Sequence, residues 1–124
     1  MPDSNDFWPA NIADSNLTTP ATILKEQATL LGEKTRQLVK GEVVTQATGD
    51  IFVHYFYIAA PTLNYRFELF KVSHTVNFYP LTLTYLNSAR PIKSEEEFKE
   101  TLKQIFAAQH TLNVVHSILA QVRS

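Results

Sequence analysis

The run Ile51-Phe52-Val53-His54-Tyr55-Phe56-Tyr57-Ile58-Ala59-Ala60 decides how this chain folds. It is rich in β-branched and aromatic residues and free of glycine and proline, so it reads as a strand over Ile51–Ala60. Alternate residues of a strand point to opposite faces. Phe52, His54, Phe56 and Ile58 thus share one face, and Ile51, Val53, Tyr55 and Tyr57 share the other. A strand with one wet face alternates apolar with polar residues, and this one does not. Both faces of the sheet are therefore expected to be at least partly covered.

The same character extends outward on both sides. Upstream, Glu42–Thr48 reads as a strand joined by Gly49-Asp50, a two-residue hairpin turn with glycine first. Downstream, Pro61-Thr62-Leu63-Asn64 makes a turn into a strand over Tyr65–Val72. A further turn near Ser73 and His74 leads to a fourth strand over Val76–Leu86. Pro80 has no amide to give a ladder, which places that strand at an edge or gives it a bulge. Connections this short favour an antiparallel meander.

Helical spacing flanks the sheet region. Thr19 is an N-cap and Pro20 suits the first helical position. Leu24, Ala28, Leu31, Thr35 and Leu38 form one face, and Gly41 stands as a stop, which predicts a helix over about 20–40. At the other end Ser94 and Glu97 make a capping box. Phe98, Leu102, Ile105 and Phe106 form one stripe, and Leu112, Val115, Leu119 and Val122 continue it. The pattern allows one helix over about 95–122 or a break near His110-Thr111. Residues 1–18 are polar apart from Phe7-Trp8-Pro9, Ile12 and Leu17, and read as a tail or as a strap anchored by Trp8. The expectation is an α+β fold in a single domain over 19–124: an N-terminal helix, a four-stranded antiparallel meander, and one long or two short C-terminal helices on one sheet face. The expected core is Leu24, Leu31, Leu38, Val53, Phe67, Leu69, Leu83, Phe98, Leu102, Ile105, Leu112 and Leu119.

Composition narrows the function. The 124 residues carry 11 Lys plus Arg against 12 Asp plus Glu, a net charge of −1, which disfavours a general polyanion binder. No cysteine is present, so disulfides, thiolate zinc sites and cysteine nucleophiles are excluded. No basic start with an apolar run marks a secretory signal, and the longest stretch lacking charged residues, Val72–Ala89, contains His74, Asn77, Pro80 and Asn87. A soluble, cytoplasmic protein without membrane or nucleic-acid partners is expected. Three glycines make no phosphate-binding loop or dinucleotide fingerprint, and no nucleophile elbow is present, so no cofactor and no catalytic residue is expected.

Ten of the aromatic residues fall between Ile51 and Leu86, where Arg66, Glu68 and Lys71 are the charged side chains. Three readings explain the second sheet face: the N-terminal segment covers it through Trp8, the chain self-associates there, or it forms a pocket or platform for a ligand or another protein. Tyr55 and Tyr57 suit the last two, having an apolar body and a polar tip. Arg66 and Glu68, two apart, read as a surface ion pair or as polar specificity groups. His54 reads as a hydrogen-bonded core histidine and His74 as a turn residue. His110 and His116 are six apart and lie on different sides of a helix, so no helical zinc spacing exists. The acidic turn Glu95-Glu96-Glu97 complements a helix dipole and reads as a solvated face.

The order helix, four strands, helix with an aromatic sheet resembles the layout of small bacterial accessory proteins, including toxin-neutralising immunity proteins. The resemblance is one of size and layout and assigns no residue role. The expected function is a non-catalytic interaction module, a homodimer or a subunit, gripping a partner through Tyr55, Tyr57, Arg66, Glu68 and His54. The alternative is a small-molecule-binding protein or enzyme with a pocket between sheet and helices around His54 and Glu68.

Overall fold

The structure, a computed structural model, describes residues 5–124. It is an α+β fold in which three helices pack on one face of a five-stranded antiparallel sheet. Helix α1 spans Pro20–Lys34, and the Thr19 hydroxyl accepts the Thr22 amide at its start. Strands β1 (Lys40–Thr48), β2 (Ile51–Ala60), β3 (Tyr65–His74), β4 (Leu81–Tyr85) and β5 (Ser88–Ile92) follow in chain order, and their spatial order is the same, so the sheet is a meander. Helices α2 (Glu95–Ala107) and α3 (Gln109–Val122) close the chain.

Four expectations are corrected. The first helix ends at Lys34 rather than near residue 40, because Arg36 and Gln37 take left-handed φ of 54° and 65°. The Thr35 hydroxyl bonds back to the Leu31 carbonyl at 3.0 Å and turns the chain toward β1. Leu38 is therefore only half-buried while Val39 is fully buried. Gly41 does not stop the helix; it lies in β1 where α1 crosses. A Cβ there would stand 2.4 Å from Ala28 Cα and 2.9 Å from Phe56 Cζ, so the close approach of helix and strand requires glycine.

The second correction is the strand count. Val76–Leu86 is not one strand: Thr75–Pro80 is irregular, Val76 is exposed, and β4 begins only at Leu81. Leu86 and Asn87 then make a two-residue hairpin turn with φ of 52° and 63°, pairing Tyr85 with Ser88 and adding β5. A leucine in that conformation is uncommon, so the sequence carries no turn signal there. By contrast Gly49-Asp50 turns between paired Thr48 and Ile51 as its residues predict.

The third concerns the faces. Phe56, Ile58, Phe70, Val72, Leu81 and Leu83 are buried with Leu24, Val39, Phe98, Leu102, Ile105 and Ile118 in one core between sheet and helices. Leu69 joins them because the β2–β3 register shifts between Phe56 and Tyr57, opposing Phe56 to Phe70 and Tyr57 to Glu68. Two consecutive residues, Leu69 and Phe70, thus turn toward the helices, the effect of a β-bulge. Val53, expected in the core, lies on the opposite face and is half-buried, and Leu112 is exposed at the surface of α3.

The helical break is real but lies earlier than His110-Thr111. Ala108, with ψ of 145°, separates α2 from α3. The buried Thr111 hydroxyl donates to the Ile105 carbonyl at 2.6 Å and ties the two helices together. Ser94 accepts the Glu97 amide as the capping box requires, while the Glu97 carboxylate accepts the Lys93 amide at 3.0 Å.

Candidate functional site: an open aromatic sheet face

All three helices pack on the Phe56 face. Phe106 of α2 lies over Phe56 and Phe70, with centroids 5.4 and 6.0 Å away, and His110 of α3 lies against Phe67 and Tyr85. The pairing registers put Glu42, Val44 and Gln46 of β1, Val53, Tyr55 and Tyr57 of β2, Arg66, Glu68, Lys71 and Ser73 of β3, and Thr82 and Thr84 of β4 on the other face. No described helix covers it. The tail does not cover it through Trp8 either, since Phe7 and Trp8 are 90% and 72% exposed. Among the described residues Trp8 therefore anchors no strap, and of the two faces expected to be at least partly covered, the helices cover one.

Tyr55 and Tyr57 stand side by side on this open face as near neighbours on one strand. Their rings are stacked at a centroid distance of 6.4 Å and an angle of 23°, so each half-buries the other. Arg66 reaches across β2 from β3. Its guanidinium lies 4.1 Å from the Tyr57 ring centroid, and Nη1 donates to Glu42 Oε1 at 2.9 Å on β1. The partner of Arg66 is thus Glu42, not Glu68 as the two-residue spacing implied. The ion pair is exposed and worth under about 1 kcal/mol, and the cation–π contact adds about 0.5–1 kcal/mol. Their larger effect is geometric, because they fix a flexible arginine flat over an aromatic ring. Glu68 and Lys71 are exposed beside this cluster, opposite Tyr57 and Tyr55 in register.

His54 belongs elsewhere. It is 4% exposed on the helix-facing side, where its Nε2 lies 2.7 Å from His74 Nε2 and its Nδ1 2.8 Å from Thr45 Oγ1. His74 Nδ1 lies 2.6 Å from the Thr75 carbonyl. A carbonyl only accepts, so His74 Nδ1 carries a proton; with both rings neutral, His54 donates to His74 and accepts from Thr45. Phe52 and Phe78 pack against His74. His54 is therefore a satisfied core histidine and not part of the open face, and His74 is a buried strand residue rather than a turn residue. Burial, assisted by His74 and Lys25, lowers the His54 pKa from the ordinary 6.5 to about 4.

The pocket imagined around His54 and Glu68 does not form, because the two side chains point to opposite faces of the sheet. An apolar groove of about 250 Å³ does open between α1 and α3, floored by Phe56, Ile58, Leu69 and Phe106. Neither His54 nor Glu68 lines it. Of the five side chains expected at the site, the structure brings together Tyr55, Tyr57, Arg66 and Glu68 and separates His54. Sequence reasoning missed Glu42 and Lys71; the strand register that places them beside the tyrosines was the signal. Among the described residues no helix is long and apolar enough to cross a membrane, and no group of three or more His, Asp or Glu is placed to hold a metal ion. Compared with family models, curated proteins and solved structures, the chain matches none of them.

Proposed function

We propose that this chain is a non-catalytic protein-interaction subunit that docks through its open sheet face. The observation carrying this reading is the Tyr55–Tyr57 stack under Arg66 on a face that no described helix covers. Tyrosine and arginine are the residue types that anchor protein interfaces, since each combines a large apolar or planar surface with a polar tip. Held in place by Glu42, Arg66 loses little further freedom when a partner arrives. Arg66 and Glu68 supply polar specificity at the rim of the aromatic patch.

The test is molar mass by light scattering behind size exclusion over a concentration series, with thermal melts on the same samples. The chain associates above its 14.1 kDa, and Tyr55→Ala or Tyr57→Ala weakens association about 30-fold or more, the effect of losing an anchor worth about 2 kcal/mol. Both variants stay folded, because each loses cross-strand contacts worth only about 0.2–1 kcal/mol. Association indifferent to both substitutions, or unfolding of either variant, contradicts the reading.

A further inference from the structure

The open face is self-complementary in a particular orientation, and we infer that its occupant is a second copy of this chain, stacked face to face with its strands antiparallel. The inference rests on the docking face proposed above and adds the partner and its register. Three observations carry it: the order of residues along β2 and β3, the charges without partners, and the size of the face.

On β3 an acid and a base, Glu68 and Lys71, occupy successive open-face positions, because the bulge sends both Leu69 and Phe70 to the other side. Among the described residues neither belongs to an ion pair; the described pairs are Arg66–Glu42, Lys99–Glu95 and Lys103–Glu100. On β2 the matching positions are Tyr57, opposite Glu68, and Tyr55, opposite Lys71. The face thus has two rows, aromatic–aromatic and acid–base, centred at the level of Phe56.

Two sheets meet face to face by a two-fold axis lying in the plane between them. An axis perpendicular to the strands at the level of Phe56 keeps β2 over β2 and β3 over β3 and reverses their direction. It carries Tyr55 onto Tyr57 of the second copy, and Glu68 onto Lys71 of the second copy, twice over. An axis along the strands keeps every residue at its own level, so it never opposes Glu68 to Lys71, and where it runs over β3 it sets Glu68 on Glu68 and Lys71 on Lys71, like charge on like. The charges therefore choose the antiparallel arrangement and oppose the other.

Five strands about 4.8 Å apart and up to ten residues long make a face of roughly 20 Å by 30 Å. That is about 600 Å² per copy, or about 1,200 Å² in total, at the lower edge of stable interfaces. At that size the dimer is reversible, and a pair of misplaced charges is enough to break it.

The test is a charge swap read by light scattering and by the dimer dissociation constant from sedimentation equilibrium. Wild type has a mass of twice 14.1 kDa. Lys71→Glu and Glu68→Lys each place like charges in contact at two symmetric points and weaken the dimer at least about tenfold. The double variant Glu68→Lys/Lys71→Glu restores acid against base and returns the dissociation constant to within about threefold of wild type. Both positions in the swap experiment are exposed, and melts of each variant confirm that the monomer is intact. A wild type that is monomeric at every concentration overturns the second copy as occupant. A dimer that Tyr57→Ala dissociates but the single charge variants leave unchanged overturns the register and leaves the docking face standing. A dimer indifferent to both sets overturns the docking face as well.

Discussion

His54 shows how far a residue's surroundings govern its chemistry. In the folded chain it is neutral, pressed between His74 and Thr45 with its pKa lowered to about 4 by burial first and by His74 and Lys25 next. In the unfolded chain it takes a proton near 6.5. The unfolded state therefore binds more protons between these values, and stability rises with pH there. The contribution is complete above about pH 6.5 and is lost as pH falls toward about 4, by up to about 3 kcal/mol. Urea unfolding at pH 7, 5.5 and 4.5 should show this slope, and His54→Gln should flatten it even if the variant is less stable throughout. An equal slope in the variant would assign the pH dependence to other groups. Burial of a histidine within an aromatic strand was legible in the sequence. Its partner was not, because His74 sits twenty positions away and meets it only through the β2–β3 register.

At the level of elements, local chemistry predicted well wherever it acts within a few residues. Thr19-Pro20, Gly49-Asp50 and Ser94–Glu97 all mark the boundaries their residues imply. It failed where the backbone adopts conformations that its residues do not advertise: Arg36-Gln37 after α1 and Leu86-Asn87 between β4 and β5. A leucine at positive φ costs roughly 1–2 kcal/mol, and Leu86 is 57% exposed, so little packing offsets that cost. The double substitution Leu86→Asn/Asn87→Gly installs the preferred residues for a two-residue hairpin. It should raise stability by about 1 kcal/mol, part of the relieved strain being offset by the added freedom of glycine in the unfolded chain. A thermal melt checks this, and a lowered midpoint would show that Leu86 contributes packing that its exposure hides.

At the scale of the whole molecule, three helices on one side of a five-stranded sheet leave the other side uncovered by any described helix. Residues 5–18 of the tail are exposed. Removing residues 1–18 keeps the Thr19 cap and should change stability by no more than about 0.5 kcal/mol, while leaving the dissociation constant of the proposed dimer unaltered. A fall of several degrees in the melt, or a loss of association, would give the tail a role in the fold or in docking. The α+β class, both capped helix starts, the central strand and the aromatic crowding of the sheet were legible in the order of residues, because these follow from propensity and from patterns of period two and 3.6. The fifth strand and the placement of all the helices on one side emerged only in the packed chain. So did the pairing of Arg66 with Glu42 across Tyr57 and the placement of Glu68 and Lys71 together, apart from His54. Those outcomes depend on register, a bulge and left-handed turns. A shift of one residue in any of them exchanges the two faces of a strand, and no single stretch of sequence encodes which face the rest of the chain will cover.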